Sequence, residues 1–82
     1  MTASSQQDLA DHLAHCIQVF GGTTAASRRL GIDERALRRF ANQERPPSAR
    51  LMADTAKALR LLIEEASAAA AEAEALAKAA EA

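Results

Sequence analysis

All three glycines of this 82-residue chain lie between positions 21 and 31, as Gly21, Gly22 and Gly31, and its two prolines are adjacent, as Pro46 and Pro47. Elsewhere Ala, Leu, Glu and Arg dominate, residues that lose little on entering a helix. Helices can therefore be interrupted only where this punctuation falls. The pattern predicts an all-α fold of four helices, the last of them long and without a stop signal of its own.

Side-chain periodicity fills in the elements. The first helix starts near Ser4 or Ser5, either of which can accept a backbone N–H at a helix N-terminus. Asp8 and Asp11 suit the positive end of its dipole, and Leu9, Leu13, Cys16, Ile17 and Phe20 form one apolar stripe. Gly21-Gly22 ends it. A short second helix spans Thr23 to Leu30, capped by Thr23 or Gly22, with Ala26 and Leu30 inward, and Gly31 ends it. Ile32 plugs the turn. Asp33 caps a third helix running to about Asn42, whose buried edge is Leu37 and Phe40. The polar loop Gln43 to Pro47 cannot continue that helix. Ser48 caps the fourth, with Leu51, Met52, Thr55, Leu59, Leu62 and Ile63 giving an inward face. The expected core is Leu9, Leu13, Ile17, Phe20, Leu30, Ile32, Leu37, Phe40, Leu51, Met52 and Leu59.

From Ala66 to Ala82, eleven of seventeen residues are Ala, which reads as an extension of the fourth helix that frays toward its end. The chain accordingly divides into a domain over residues 1–65 and an Ala-rich helical extension over 66–82. A domain this small has a thin core, so a partner chain is a natural supplement.

The net charge of −1 conceals a strong asymmetry: residues 1–22 carry −2, residues 23–50 carry +4 and residues 51–82 carry −3. Such a distribution focuses an anionic partner onto the middle of the chain. The single Cys16 has no partner for an internal disulfide, and the polar opening lacks the basic and apolar regions of a secretory leader. No apolar run approaches the ~20 residues that span a bilayer. A cytoplasmic protein is expected, with no membrane partner.

Two short helices joined by a tight glycine-containing turn form a helix-turn-helix unit. The turn needs a residue tolerant of positive φ, supplied by Gly31, and a small residue four positions earlier, Ser27, lets the helices approach. Leu37 anchors the second helix, and Phe40, three residues on, locks it to the first. The segment Thr24-Ala-Ala-Ser-Arg-Arg-Leu-Gly-Ile32, the Leu37 and Phe40 anchors and the Arg45-Pro-Pro47 exit resemble the Cro and phage-repressor (XRE) type of helix-turn-helix transcriptional regulator over about Phe20 to Leu62. Gln43 stands where that family often has glycine, and the Ala-rich tail takes the place of its fifth helix.

The resemblance implies sequence-specific binding of double-stranded DNA by a repressor or regulator, with helix 33–42 in the major groove. Glu34, Arg35, Arg38 and Arg39 would face the bases, arginine donating two hydrogen bonds to guanine and Glu34 accepting from cytosine N4. Thr23, Thr24, Arg28, Asn42 and Arg45 would hold phosphates. One recognition helix reads few base pairs, so a homodimer is expected. Leu62, Ala66, Ala69, Ala73 and Leu76, at alternating spacings of four and three, offer a seam for it.

Other chemistries find little support. His12, His15 and Cys16 are too few for a metal site, and Cys16 fits the apolar stripe as a small buried residue. No metal or cofactor is expected. There is no phosphate loop, paired-carboxylate pocket or nucleophile–base arrangement, so neither an enzyme nor a small-molecule substrate is expected. The rival from another class is a protein-interaction adaptor, or an antitoxin, whose long C-terminal helix binds a partner protein.

Overall fold

In a computed structural model, which describes residues 5–81, four helices follow one another: α1 (Gln6–Phe20), α2 (Thr23–Leu30), α3 (Glu34–Ala41) and α4 (Ala49–Glu81). Among the described residues there is no strand. Ser5 begins α1 with a reciprocal capping box: its hydroxyl accepts the Asp8 N–H at 3.1 Å, and the Asp8 carboxylate accepts the Ser5 N–H at 3.2 Å. Ser4, the alternative cap, lies outside the described residues. Gly21, at φ 112°, closes α1 by donating to Gln18 O while Gly22 donates to Ile17 O. Gly22 precedes α2 without a side-chain cap, so Thr23 is the helix's first residue.

The turn between α2 and α3 is held from both sides. Gly31 adopts φ 66°, ψ 30°, the left-handed region that costs a residue with a Cβ about 1–2 kcal/mol. The N–H groups of Gly31 and Ile32 both donate to Ser27 O, and the Ser27 hydroxyl returns a hydrogen bond to Ile32 O. Serine in the small-residue slot thus adds a hydrogen bond across the turn as well as room for close approach. Asp33 caps α3 by accepting the Arg35 N–H at 3.1 Å. α3 ends at Ala41 with Asn42 as its cap, one residue short of the expected end. Gln43 then takes φ 67°, the only non-glycine residue with positive φ among the described residues. Because its side chain stands where a Cβ is unfavourable, Gln43→Gly is expected to stabilise the fold by about 1 kcal/mol. An unchanged or lower melting temperature would count against that strain.

The core gathers at the meeting of α1, α2, α3 and the first half of α4. Leu13, Cys16, Ile17, Phe20, Ala26, Leu37 and Leu51 are buried, with Leu30, Ile32, Phe40, Met52, Leu59 and Leu62 packed against them. Two expectations are corrected. Leu9 is only half-buried and stands outside this cluster, while Ala10 is fully buried. The inward stripe of α1 is therefore Ala10, Leu13, Cys16, Ile17 and Phe20. Ile63 is 66% exposed, because the face of α4 that meets the domain runs through Leu51, Thr55, Leu59 and Leu62 instead. Buried Thr55 satisfies its hydroxyl by donating to Leu51 O at 2.8 Å, and Ser48 caps α4 by accepting the Leu51 N–H at 3.0 Å.

The second half of α4 leaves the domain. Residues 66–81 are helical without interruption, and every one of them is exposed. The molecule measures 54 × 32 × 16 Å, close to the ~50 Å length expected of a 33-residue helix along its longest dimension. Among the described residues, no helix is long and apolar enough to cross a membrane.

Candidate nucleic-acid interface

α3 is an eight-residue helix with one fully buried side chain, Leu37. At 3.6 residues per turn, Leu37, Phe40 and Ala41 share the face turned to α1 and α2. Arg35, Arg38, Arg39 and Asn42 fall on the opposite face, and all four are exposed. The arginines are there for local reasons as well: Arg38 and Arg39 occupy the last turn of α3, where positive charge complements the helix dipole, as Arg28 and Arg29 do in α2.

The residues expected to read bases and those expected to hold phosphate come together in part. Thr23, Arg38 and Asn42 line one shallow groove of about 340 Å³, together with Gln18 and Gly22. This groove opens at the N-terminus of α2, where the first N–H groups have no partner within the helix. Thr24 and Glu34 meet across the turn, the Thr24 hydroxyl donating to Glu34 Oε1 at 2.8 Å. Arg38 Nη2 lies 3.7 Å from the same oxygen. Glu34 is therefore half-buried and engaged at the edge of the exposed arginine face, whereas Arg35 and Arg39 stand free of ion pairs among the described residues.

The remaining members are peripheral. Arg28 is exposed on α2. Arg45, in the exit loop, lies with its guanidinium carbon 5.8 Å from the Phe40 ring centroid, a cation–π contact that places its charge beside the end of α3. Leu62 is half-buried against the core, while Ala66, Ala69, Ala73 and Leu76 are exposed along the free half of α4, well away from the groove.

Two contributors carry no signal in the sequence. Gln18 belongs to the apolar helix α1, and only the approach of α3 brings it to the groove. Arg29 makes a two-pronged pair with Glu65, at 2.8 and 3.1 Å, tying α2 to the middle of α4. This hydrogen-bonded pairing holds the Glu65 carboxyl below its ordinary value and raises the guanidinium. Arg29 is thereby engaged with α4, whose seating on the domain comes from Leu51, Thr55, Leu59 and Leu62. Cys16 is buried, and burial pushes its thiol up, so it packs as a small apolar group. The rings of His12 and His15 lie 6.0 Å apart on α1, and no group of three His, Cys, Asp or Glu capable of holding a metal occurs among the described residues.

No family model, curated protein or solved structure matches the chain, so the character of this interface rests on its own residues and their geometry.

Proposed function

We propose that the protein binds double-stranded DNA in a sequence-specific manner, as a transcriptional repressor or regulator of the Cro and phage-repressor (XRE) kind, and that it does so as a homodimer. The observation that carries this reading is the division of α3 into two faces. Leu37 is wholly withdrawn into the core, while Arg35, Arg38, Arg39 and Asn42 are exposed together on the other side. A helix of this size, seated at its back and arginine-rich at its front, suits the major groove. The open N-terminus of α2 beside Thr23 and Asn42 suits a neighbouring phosphate.

The reading is tested by fluorescence anisotropy with a random-sequence duplex pool, followed by selection of the tightest-bound sequences. Binding through six or more phosphates should weaken by at least about 10³-fold between roughly 50 and 200 mM salt. The double substitution Arg35→Ala/Arg38→Ala should abolish sequence preference, each lost arginine–guanine contact removing about 1–3 kcal/mol of discrimination. Absence of binding by the wild-type protein at the lower salt would sink the proposal.

A second reading draws on a different surface. Leu61 and Leu76 on α4 are 53% and 61% exposed, and a protein-interaction adaptor or antitoxin would use this helix to dock a partner. That interface is mainly apolar and would respond little to salt, which separates the two readings in the same titration.

A further inference from the structure

The polar contact between α2 and α3 converges on a single oxygen. Glu34 Oε1 accepts the Thr24 hydroxyl at 2.8 Å and lies 3.7 Å from Arg38 Nη2. The side chain of Glu34 is 39% exposed and that of Arg38 57% exposed, so the carboxylate sits at the foot of the reading face and the guanidinium stands above it. Arg38 also borders the groove that Thr23 and Asn42 line. The chain of contacts therefore runs from the first turn of α2, beside the groove, to an arginine on the exposed face of α3.

We propose that Glu34 is a positioning residue that sets specificity through Arg38, rather than a base reader in its own right. The inference rests on the DNA-binding reading above. An arginine on an exposed helix face has many rotamers, and holding one of them in advance reduces what is lost when the base contact forms. The guanidinium carries five N–H donors, and a two-pronged contact with guanine O6 and N7 uses two of them. A carboxylate beside Nη2 can hold the group while leaving the rest of the fork for the base. Thr24 fixes the carboxylate in turn, by a hydrogen bond that spans the turn. An acid in a surface that receives phosphates is otherwise unfavourable, and the pairing with Arg38 offsets that repulsion. Once DNA covers the site and water leaves, the pair strengthens.

The test compares base preference at every position of the selected duplex for the wild type, Glu34→Ala, Glu34→Gln, Arg38→Ala and the double variant Glu34→Ala/Arg38→Ala. Glu34→Ala and Arg38→Ala are expected to relax preference at the same base pair, by about tenfold, with no further loss in the double variant. Glu34→Gln keeps an acceptor for Thr24 and should recover part of the preference. Affinity of Glu34→Ala for unselected DNA should rise at low salt, because an anionic group is gone, whereas a loss of fold would lower all binding. Relaxation at a different base pair from Arg38→Ala would make Glu34 a direct reader and overturn the proposal, as would an unchanged preference. Failure of the wild type to bind DNA would remove the DNA-binding reading alone. The clamp is then judged in the free protein by nitrogen-15 relaxation of the Arg38 Nε–H. Faster motion in Glu34→Ala than in the wild type supports it, and equal motion overturns it.

Discussion

Leu37→Ala is expected to destabilise the protein by about 2–5 kcal/mol, the range for removing a fully buried leucine side chain. Leu37 is 0% exposed and is the one buried residue of α3. α3 packs against α1 and α2 but not against α4, so little else anchors it to the body of the domain. A chain of this size has a total stability of roughly 4–12 kcal/mol, and one substitution therefore removes a large part of it. The melting temperature should fall by about 8–40 °C, at some 4–8 °C per kcal/mol for a domain of this length. Leu76→Ala removes the same atoms from a side chain 61% exposed and should change stability by no more than about 0.5 kcal/mol. Equal melting temperatures for the two variants would show that α3 is not seated as described. The functional consequence follows from the same packing. Arg35, Arg38 and Arg39 share a direction only while Leu37 holds the opposite face, so on the proposed DNA-binding reading sequence preference should disappear in Leu37→Ala even where the chain remains partly folded.

How much of this was legible in the sequence depends on the range of the interaction that decides each feature. Gly31, Asp33 and Ser48 act within a few residues of themselves, and the boundaries they set are those expected, to within a residue at the end of α3. The apolar period of α1 does not decide its first inward position, because Leu9 and Ala10 are both apolar. The choice between them is made by the elements packed against α1, not by the pattern within it. Ile63 fits the apolar period of α4 yet is exposed for a related reason: by that point α4 is leaving the domain, and only Leu62 in its neighbourhood still touches the core. The site follows the same division. The exposed arginines of α3 could be read from one turn of helix beside Leu37. The contact between Thr24 and Glu34, 10 residues apart, and that between Arg29 and Glu65, 36 apart, depend on how helices cross, and no local period announces them. The sequence pattern points to Thr24 and Glu34 only as separate contacts to DNA; their meeting is a product of the fold.

Ending the chain after Glu65 is expected to leave the domain folded and to reduce its affinity for a two-half-site duplex by on the order of 10²–10⁴-fold, the range by which linking two binding modules exceeds either alone. Residues 66–81 are all exposed, so their loss removes no buried surface from the domain, and the Arg29–Glu65 pair between α2 and α4 is retained. What is lost is the proposed dimer seam. Its geometry favours one arrangement. The face of α4 that packs on its own domain, through Leu51, Thr55, Leu59 and Leu62, continues at the same helical spacing as Ala66, Ala69, Ala73 and Leu76. The domain therefore occupies the seam side of the helix up to Leu62 and stops there. A parallel partner would have to run its own residues 49–62 through the space that the domain fills. An antiparallel partner meets only the free half, about 24 Å long at 1.5 Å per residue, and keeps its domain beyond the far end. In that arrangement Leu76 of each copy lies over the small Ala66 of the other, with Ala69 against Ala73, so that large meets small along the seam. Cysteine cross-linking separates the alternatives, with Cys16 left in place because it is buried. Mixed Ala66→Cys and Leu76→Cys copies should join under mild oxidation, while neither variant joins to itself. Self-joining of each variant would establish the parallel pair and remove this argument. A monomer that binds as tightly after truncation as before it would remove the seam altogether and leave α3 to act from a single copy.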